Sequence, residues 1–203
     1  MELIDGGRAP SPRRVRIFLA EKGVDVPRRQ IDFAGLEQFS DAFTAVNPMQ
    51  RVPVLILDDG TALSETMAIC RYFEALYPEP NLLGRDAREI ALIEMWNRRV
   101  ELNFYGAVSS AFRHLSAAMA VSEKPQIAEW GEANKAKALD FLAVLDRELG
   151  TRQFVAGGRF TVADITAMVT VDFLRAPKIE MPAGMKHVLR WHAEVSARPS
   201  ARA

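Results

Sequence analysis

The chain has 203 residues, 49% apolar and 26% charged, an ordinary globular balance in a chain long enough to bury about 70% of its unfolded surface. Its 26 Lys and Arg offset its 26 Asp and Glu, so it lacks the basic excess of a general nucleic-acid or anionic-membrane binder. A single cysteine, Cys70, excludes an intrachain disulfide and a multi-cysteine zinc site. Charges at Glu2, Asp5 and Arg8 interrupt any signal-peptide-like run, and the window 102–122 is too polar for a membrane span. The expectation is a soluble cytoplasmic protein.

Glu2–Asp5 is a short candidate strand, followed by the turn-rich Gly6-Gly7-Arg8-Ala9-Pro10. A helix is expected from about Ser11-Pro12, with proline at its first position, to Gly23 as its stop. Val15, Phe18 and Leu19 form its apolar stripe. Arg28–Phe33 reads as a second strand and Leu36–Val46 as a short helix. Asp58-Asp59-Gly60, between Val52–Leu57 and Thr61–Leu63, is a hairpin signal. Thr66, Ile69, Cys70, Phe73, Leu76 and Tyr77 then line one face of a helix, which makes Cys70 a core residue.

Pro78-Glu79-Pro80-Asn81 carries two prolines in four residues and marks a linker. Helices alone are expected beyond it. One runs from Asp86 to about Ala118 with Trp96, Val100, Phe104, Val108 and Phe112 on one face, and a second from Glu123 to Leu149, ended by Gly150. A third covers Thr161–Leu174 and a fourth Ala183–Ser196. The chain thus divides into an α/β domain, 1–78, a linker, 79–85, and an all-helical domain, 86–203.

Three short segments carry chemical signals. Val52-Pro53 enters a strand from Asn47-Pro48-Met49-Gln50-Arg51, and is either a trans strand-opener or a cis turn exposing the Val52 N–H and C=O to a peptide-like ligand. Ser64-Glu65-Thr66 opens a helix. It is either a plain cap with an acid on the dipole, or a set of N–H groups and a hydroxyl for a ligand carboxylate, with Glu65 for its ammonium. Thr161-Val162-Ala163-Asp164 is a capping box stapled by Phe160 and Ile165, and is structural.

Taken in order, 12–23, Asn47-Pro48 leading to Val52-Pro53-Val54-Leu55, and 63–69 resemble the glutathione-binding, thioredoxin-like domain of a glutathione transferase. The capping box resembles that family's C-terminal signature. The resemblance implies the glutathione transferase fold: an α/β thioredoxin-like N-terminal domain plus an all-α C-terminal domain. It implies that Val52 pairs through its backbone with the cysteinyl part of glutathione, held by a cis Pro53. Glu65 and Thr66 hold the γ-glutamyl end, and Arg51 reaches the glycyl carboxylate. Phe39 stands where many members place a cation or His.

The usual catalytic Ser position holds Ala9, no Tyr ends the first strand, and Cys70 lies elsewhere. Ala9-Pro10-Ser11-Pro12 instead resembles an atypical bacterial and fungal subgroup in which the helix N-terminus receives the thiolate. A free thiol with a pKa of ~8.5 is about 3% ionised at pH 7, and lowering that pKa by two units needs roughly 2.7 kcal/mol. Helix-end N–H groups with the dipole supply ~1–2 kcal/mol of this. Ser11 is the nearest hydroxyl, either as a thiolate donor or as the helix N-cap, two compatible roles, and Arg13 and Arg14 are nearby cations. His114 is either a hydrogen-bonded core residue or, by the subgroup resemblance, the holder of a water near the thiol.

The activity expected is transfer of glutathione, a substrate here, to a small hydrophobic electrophile, without a metal. The second substrate is expected between the domains along the long helix, with Tyr105, Phe112 and Leu115 as lining or core residues. A homodimer is implied, with Arg71 available to an acidic residue of the partner; no nucleic-acid or membrane partner is expected. The alternatives are a non-catalytic ligand-binding or assembly module of the same fold, or a glutathione-dependent isomerase or peroxidase.

Overall fold

Leu3 and Ile4 point to opposite faces of strand β1 (Glu2–Asp5), and both are buried, so the strand must be covered on both sides. In the computed structural model, which describes all 203 residues, β1 sits inside a sheet with β2 (Arg28–Gln30), β3 (Val54–Ile56) and β4 (Ala62–Ser64) in the order β2-β1-β3-β4. β1 runs parallel to β2 and antiparallel to β3, and β3 is antiparallel to β4. The β1–β3 register pairs Leu3 with Leu55 on one face and Ile4 with Val54 on the other. Ile4 and Val54 join Ile31 and Phe43 in one cluster, Phe43 coming from helix α2 (Asp41–Val46). Helices α1 (Pro10–Lys22) and α3 (Thr66–Leu76) bury Val15, Phe18, Ile69, Cys70 and Phe73.

Lys22 anchors α1 at its far end. Its buried ammonium donates to the Tyr77 and Pro80 carbonyls at 2.8 and 2.7 Å and pairs with Glu74 of α3. Gly23 follows at φ 65°, the left-handed stop that a residue without Cβ adopts at no cost.

The structure revises several expected boundaries. The Arg28–Phe33 strand ends at Gln30, because Asp32 starts a turn in which its carboxylate accepts from the Gly35 N–H at 3.0 Å. The Leu36–Val46 helix splits at Ser40. That residue is extended, and its hydroxyl accepts the Phe43 N–H at 3.1 Å, capping α2 after a single 3₁₀ turn at Glu37–Phe39.

The chain separates into two units, Met1–Asn81 with Arg202–Ala203, and Leu82–Ala201. The second is helical: α4 (Ala87–Arg99), a π-helical segment (Val100–Tyr105), α5 (Gly106–Leu115), α6 (Ala128–Leu149), α7 (Val162–Phe173) and α8 (Lys186–Ser196). The single long helix expected over 86–118 therefore changes winding at its centre and ends at Leu115. An apolar residue at every fourth position drifts by about 40° per step on a helix of 3.6 residues per turn. The wider i→i+5 turn of the π segment winds that drift back, and Trp96, Val100, Phe104 and Val108 all stay buried. α6 begins at Ala128 rather than Glu123, since Pro125 disfavours helical geometry at Lys124. α8 begins at Lys186, after Pro182 and Gly184. No helix is long and apolar enough to cross a membrane.

The expected capping box closes α7. The Asp164 carboxylate accepts from the Thr161 N–H at 2.9 Å and its hydroxyl at 3.1 Å. It also accepts from the Val155 N–H at 2.8 Å and the Trp191 indole N–H at 2.9 Å. Asp164 is completely buried, and this burial pushes its carboxyl up to about 6 against the pull of its donors.

Candidate functional site

The site is built outward from Asp5, the buried last residue of β1. Its Oδ1 accepts from the Gly6 N–H at 2.8 Å and from Arg16 Nη1 at 2.6 Å, and its Oδ2 from Gln30 Nε2 at 2.8 Å. The Gly6 carbonyl in turn accepts the Ala9 N–H at 3.0 Å, and the Ala9 carbonyl accepts the Arg13 N–H at 3.3 Å as the first bond of α1. Ala9 is the N-cap, with φ −65° and ψ 138°.

Of the two roles the sequence left open for Ser11, the helix N-cap is therefore filled by Ala9 instead. Proline at position 10 already has the φ of a first helical residue, so the helix starts there and Ser11 becomes its second residue. Pro10 and Pro12 have no N–H, which leaves Ser11 with the only backbone donor among the first three helical residues. The start of α1 is thus one amide donor and a dipole, not a cluster of amides.

Gly6 is where the surrounding segments close in. A Cβ there would lie 2.9 Å from Val52 Cγ2, 3.0 Å from the Phe33 ring and 3.2 Å from the Ala9 Cβ. The Val52-Pro53 bond is cis, and Val52 lies outside the ladder, whose pairing begins at Val54. The preceding turn is held by buried Asn47, whose amide donates to the Arg51 carbonyl at 2.7 Å and accepts the Met49 N–H at 3.1 Å. Arg51 itself is exposed.

At the start of α3, Glu65 is exposed and held at φ 71° and ψ 120°. No side chain caps this helix, so the plain-cap reading of Ser64 and Thr66 does not hold. Thr66 is instead the first helical residue, buried, with its hydroxyl 3.5 Å from the Ser11 carbonyl. Contacts from Val52 through Gly6 and Ala9 to Ser11 and Thr66 gather the cis turn and both helix starts in one unit.

His114 belongs to the helical unit. Its Nδ1 accepts the Ile127 N–H at 3.0 Å, and its Nε2 lies 3.6 Å from Glu123 Oε1. Within the same unit Phe112 meets Phe173 edge-on at 5.2 Å, and Tyr105 lies 6.5 Å from that ring. Leu115 packs on Gly131, where a Cβ would come within 2.6 Å of its Cγ, so it serves the α5–α6 contact.

The family model for the glutathione S-transferase N-terminal domain matches residues 9–76, and that for the C-terminal domain matches residues 114–199. The chain belongs to the glutathione S-transferase family. Glutathione S-transferase 2 of Saccharomyces cerevisiae is 36% identical over 100% of this chain and 88% of its own length. A glutathione S-transferase domain-containing protein from Marinobacter aquaeolei VT8 superposes with a TM-score of 0.95 at 39% identity, over 98% of this chain and 99% of that one. Gtt2 from Saccharomyces cerevisiae gives 0.95 at 36% identity, over 100% and 99%. The glutathione S-transferase fold expected from the sequence, an α/β domain followed by a helical one, is the fold observed.

Reading single segments missed Asp5, Arg16, Gln30 and Gly6, and named Asn47 only as part of the segment leading to Val52-Pro53, without its hold on the Arg51 carbonyl. Asp5 meets its side-chain partners 11 and 25 residues along the chain, beyond any helical or strand period. The one available signal was an acid closing a strand directly before Gly-Gly.

Proposed function

We propose that this glutathione S-transferase binds glutathione through its N-terminal unit and activates the thiol at the start of α1 for attack on a small hydrophobic electrophile. The observation that carries the reading is Glu65. A non-glycine residue at φ 71° costs about 1–3 kcal/mol, and helix capping does not account for it, because no side chain caps α3. Its surroundings hold it there, and a strained residue kept at a helix start is the kind of position that ligand-binding sites use. Glu65 supplies a carboxylate for the γ-glutamyl ammonium, and the α3 N-terminus with Thr66 supplies donors for its carboxylate. The Val52 backbone then pairs with the cysteinyl part, and Arg51 takes the glycyl carboxylate.

For the thiol, a charge-assisted hydrogen bond from Ser11 is worth ~1.5–3 kcal/mol and the helix dipole ~0.3–1 kcal/mol. Together these reach the roughly 2.7 kcal/mol that a two-unit fall in thiol pKa requires. His114 assists through a water held on its Nε2–H. Glutathione in this role is a substrate, and the reducing cytoplasm is where it remains a thiol.

Titration calorimetry with reduced glutathione tests this. Wild type should give binding heat, and Glu65→Ala should weaken binding by roughly tenfold or more, the loss of one charge-assisted pair. No heat at millimolar glutathione rejects the reading. The second reading, a glutathione-binding module without catalysis, is favoured by Ala9 at the usual hydroxyl position. It predicts binding with the thiol pKa left near ~8.5.

A further inference from the structure

Resting on the reading that the start of α1 receives the glutathione sulfur, we propose that Asp5 is a positioning residue for that site. Through the Gly6 peptide and Arg16, its carboxylate sets where the first turn of α1 presents the Ser11 donor. Asp5 is only 1% exposed, and its donors come from three places: the next peptide, α1 and the edge strand β2.

The bonds form a closed circuit. The Gly6 N–H donates to Asp5, the Ala9 N–H to the Gly6 carbonyl, and the Arg13 N–H to the Ala9 carbonyl. Arg16, one turn further along α1, returns to the same Asp5 oxygen. Residues 6–9 are thereby tied at both ends, to the sheet and to the helix they lead into.

A buried Asp–Arg pair contributes little net stability over a well-packed apolar pair, so its distinctive consequence is geometric. Gly6 is also the residue against which Val52 packs, so displacing this peptide moves the cysteinyl contact and the helix start together. Glu65 and Thr66 sit on a different element, α3. Loss of Asp5 should therefore raise the thiol pKa while leaving most of the affinity for glutathione in place.

The test follows thiolate absorbance of bound glutathione against pH, with kcat and KM for a chromogenic aryl halide, in wild type, Asp5→Asn and Gln30→Ala. In Asp5→Asn the thiol pKa should rise by about one pH unit. From about 6.5 to about 7.5, that takes thiolate at pH 7 from about three quarters to about one quarter, so kcat falls about threefold. The loss should vanish above about pH 9, where hydroxide ionises the thiol in either protein, and KM for glutathione should stay within about threefold. Gln30→Ala removes one donor from an exposed edge residue and leaves the ion pair, so it should move the same way by less. It decides the matter if Asp5→Asn does not fold.

Three results overturn the proposal: an unchanged thiol pKa, a kcat loss that high pH does not restore, or a fall in thiol pKa. The last would mean that the released Arg16 charge matters and the geometry does not. Wild-type protein that binds glutathione without lowering its thiol pKa overturns this proposal together with thiol activation. The calorimetry of Glu65→Ala, which does not depend on ionisation, still reports on the binding half of that reading.

Discussion

An imidazole that accepts a hydrogen bond at one nitrogen carries its proton, when neutral, at the other. His114 accepts from the Ile127 N–H at Nδ1, so Nε2 is a donor, facing Glu123 at 3.6 Å. Such a ring can hold a water by donation, but it cannot take the thiol proton at Nε2. The expected result for His114→Ala is therefore the loss of one water-holding hydrogen bond, a fall in turnover of roughly tenfold or less, with the calorimetric affinity for glutathione unchanged. Turnover that survives while the thermal midpoint drops would reduce His114 to a staple on Ile127. Ser11 changes meaning at the same scale, because the cap is Ala9 and the one early amide donor belongs to Ser11.

Helix ends in the second unit are completed by residues from elsewhere in the chain. α8 has no cap of its own, and Asp146 of α6 accepts its His187 and Val188 N–H groups at 2.8 and 2.9 Å. Asp164 does more, closing its own helix and binding the Trp191 indole of α8. Its folded pKa of about 6 lies above the ~3.9 of an unfolded Asp. The native state therefore holds this proton more tightly, so the group's contribution is fully present below about pH 4 and is lost as pH rises through about 6. Two pH units at 1.36 kcal/mol each give about 3 kcal/mol. Urea unfolding across this range should show the stability of wild type relative to Asp164→Asn falling by about that much between pH 4 and pH 7. A flat difference would mean that the four donors offset burial and the carboxyl titrates at its ordinary value.

On the scale of the whole molecule, the family resemblance implies a homodimer. α3 buries Ile69, Cys70 and Phe73 on one side and leaves Arg71 exposed. We propose that Arg71 meets an acidic residue of a second copy. Light scattering at micromolar concentration should report about twice the 22.6 kDa chain mass, and Arg71→Glu should shift the equilibrium toward monomer. A wild-type mass of one chain rejects the pairing.

Much of this molecule is local chemistry, and the sequence by itself determined it. Gly23 and Gly60 take φ 65° and 85° where a helix stop and a hairpin were expected. Thr161 and Asp164, three residues apart, make their capping box because the first turn of a helix brings such a pair together. The four-residue apolar stripe through Trp96 and Phe104 even contains the reason for the π segment that straightens it. Tertiary structure alone decided the rest. The left-handed φ of Glu65 is not a glycine's preference but a position imposed by its surroundings. Lys22 reaches carbonyls 55 and 58 residues away, Asp164 an indole 27 away, and Asp5 an arginine 11 and a glutamine 25 away. These pairings depend on which strands adjoin and in what register. No propensity of a single segment contains that, because the interaction exists only after the intervening chain has folded and brought the partners within reach.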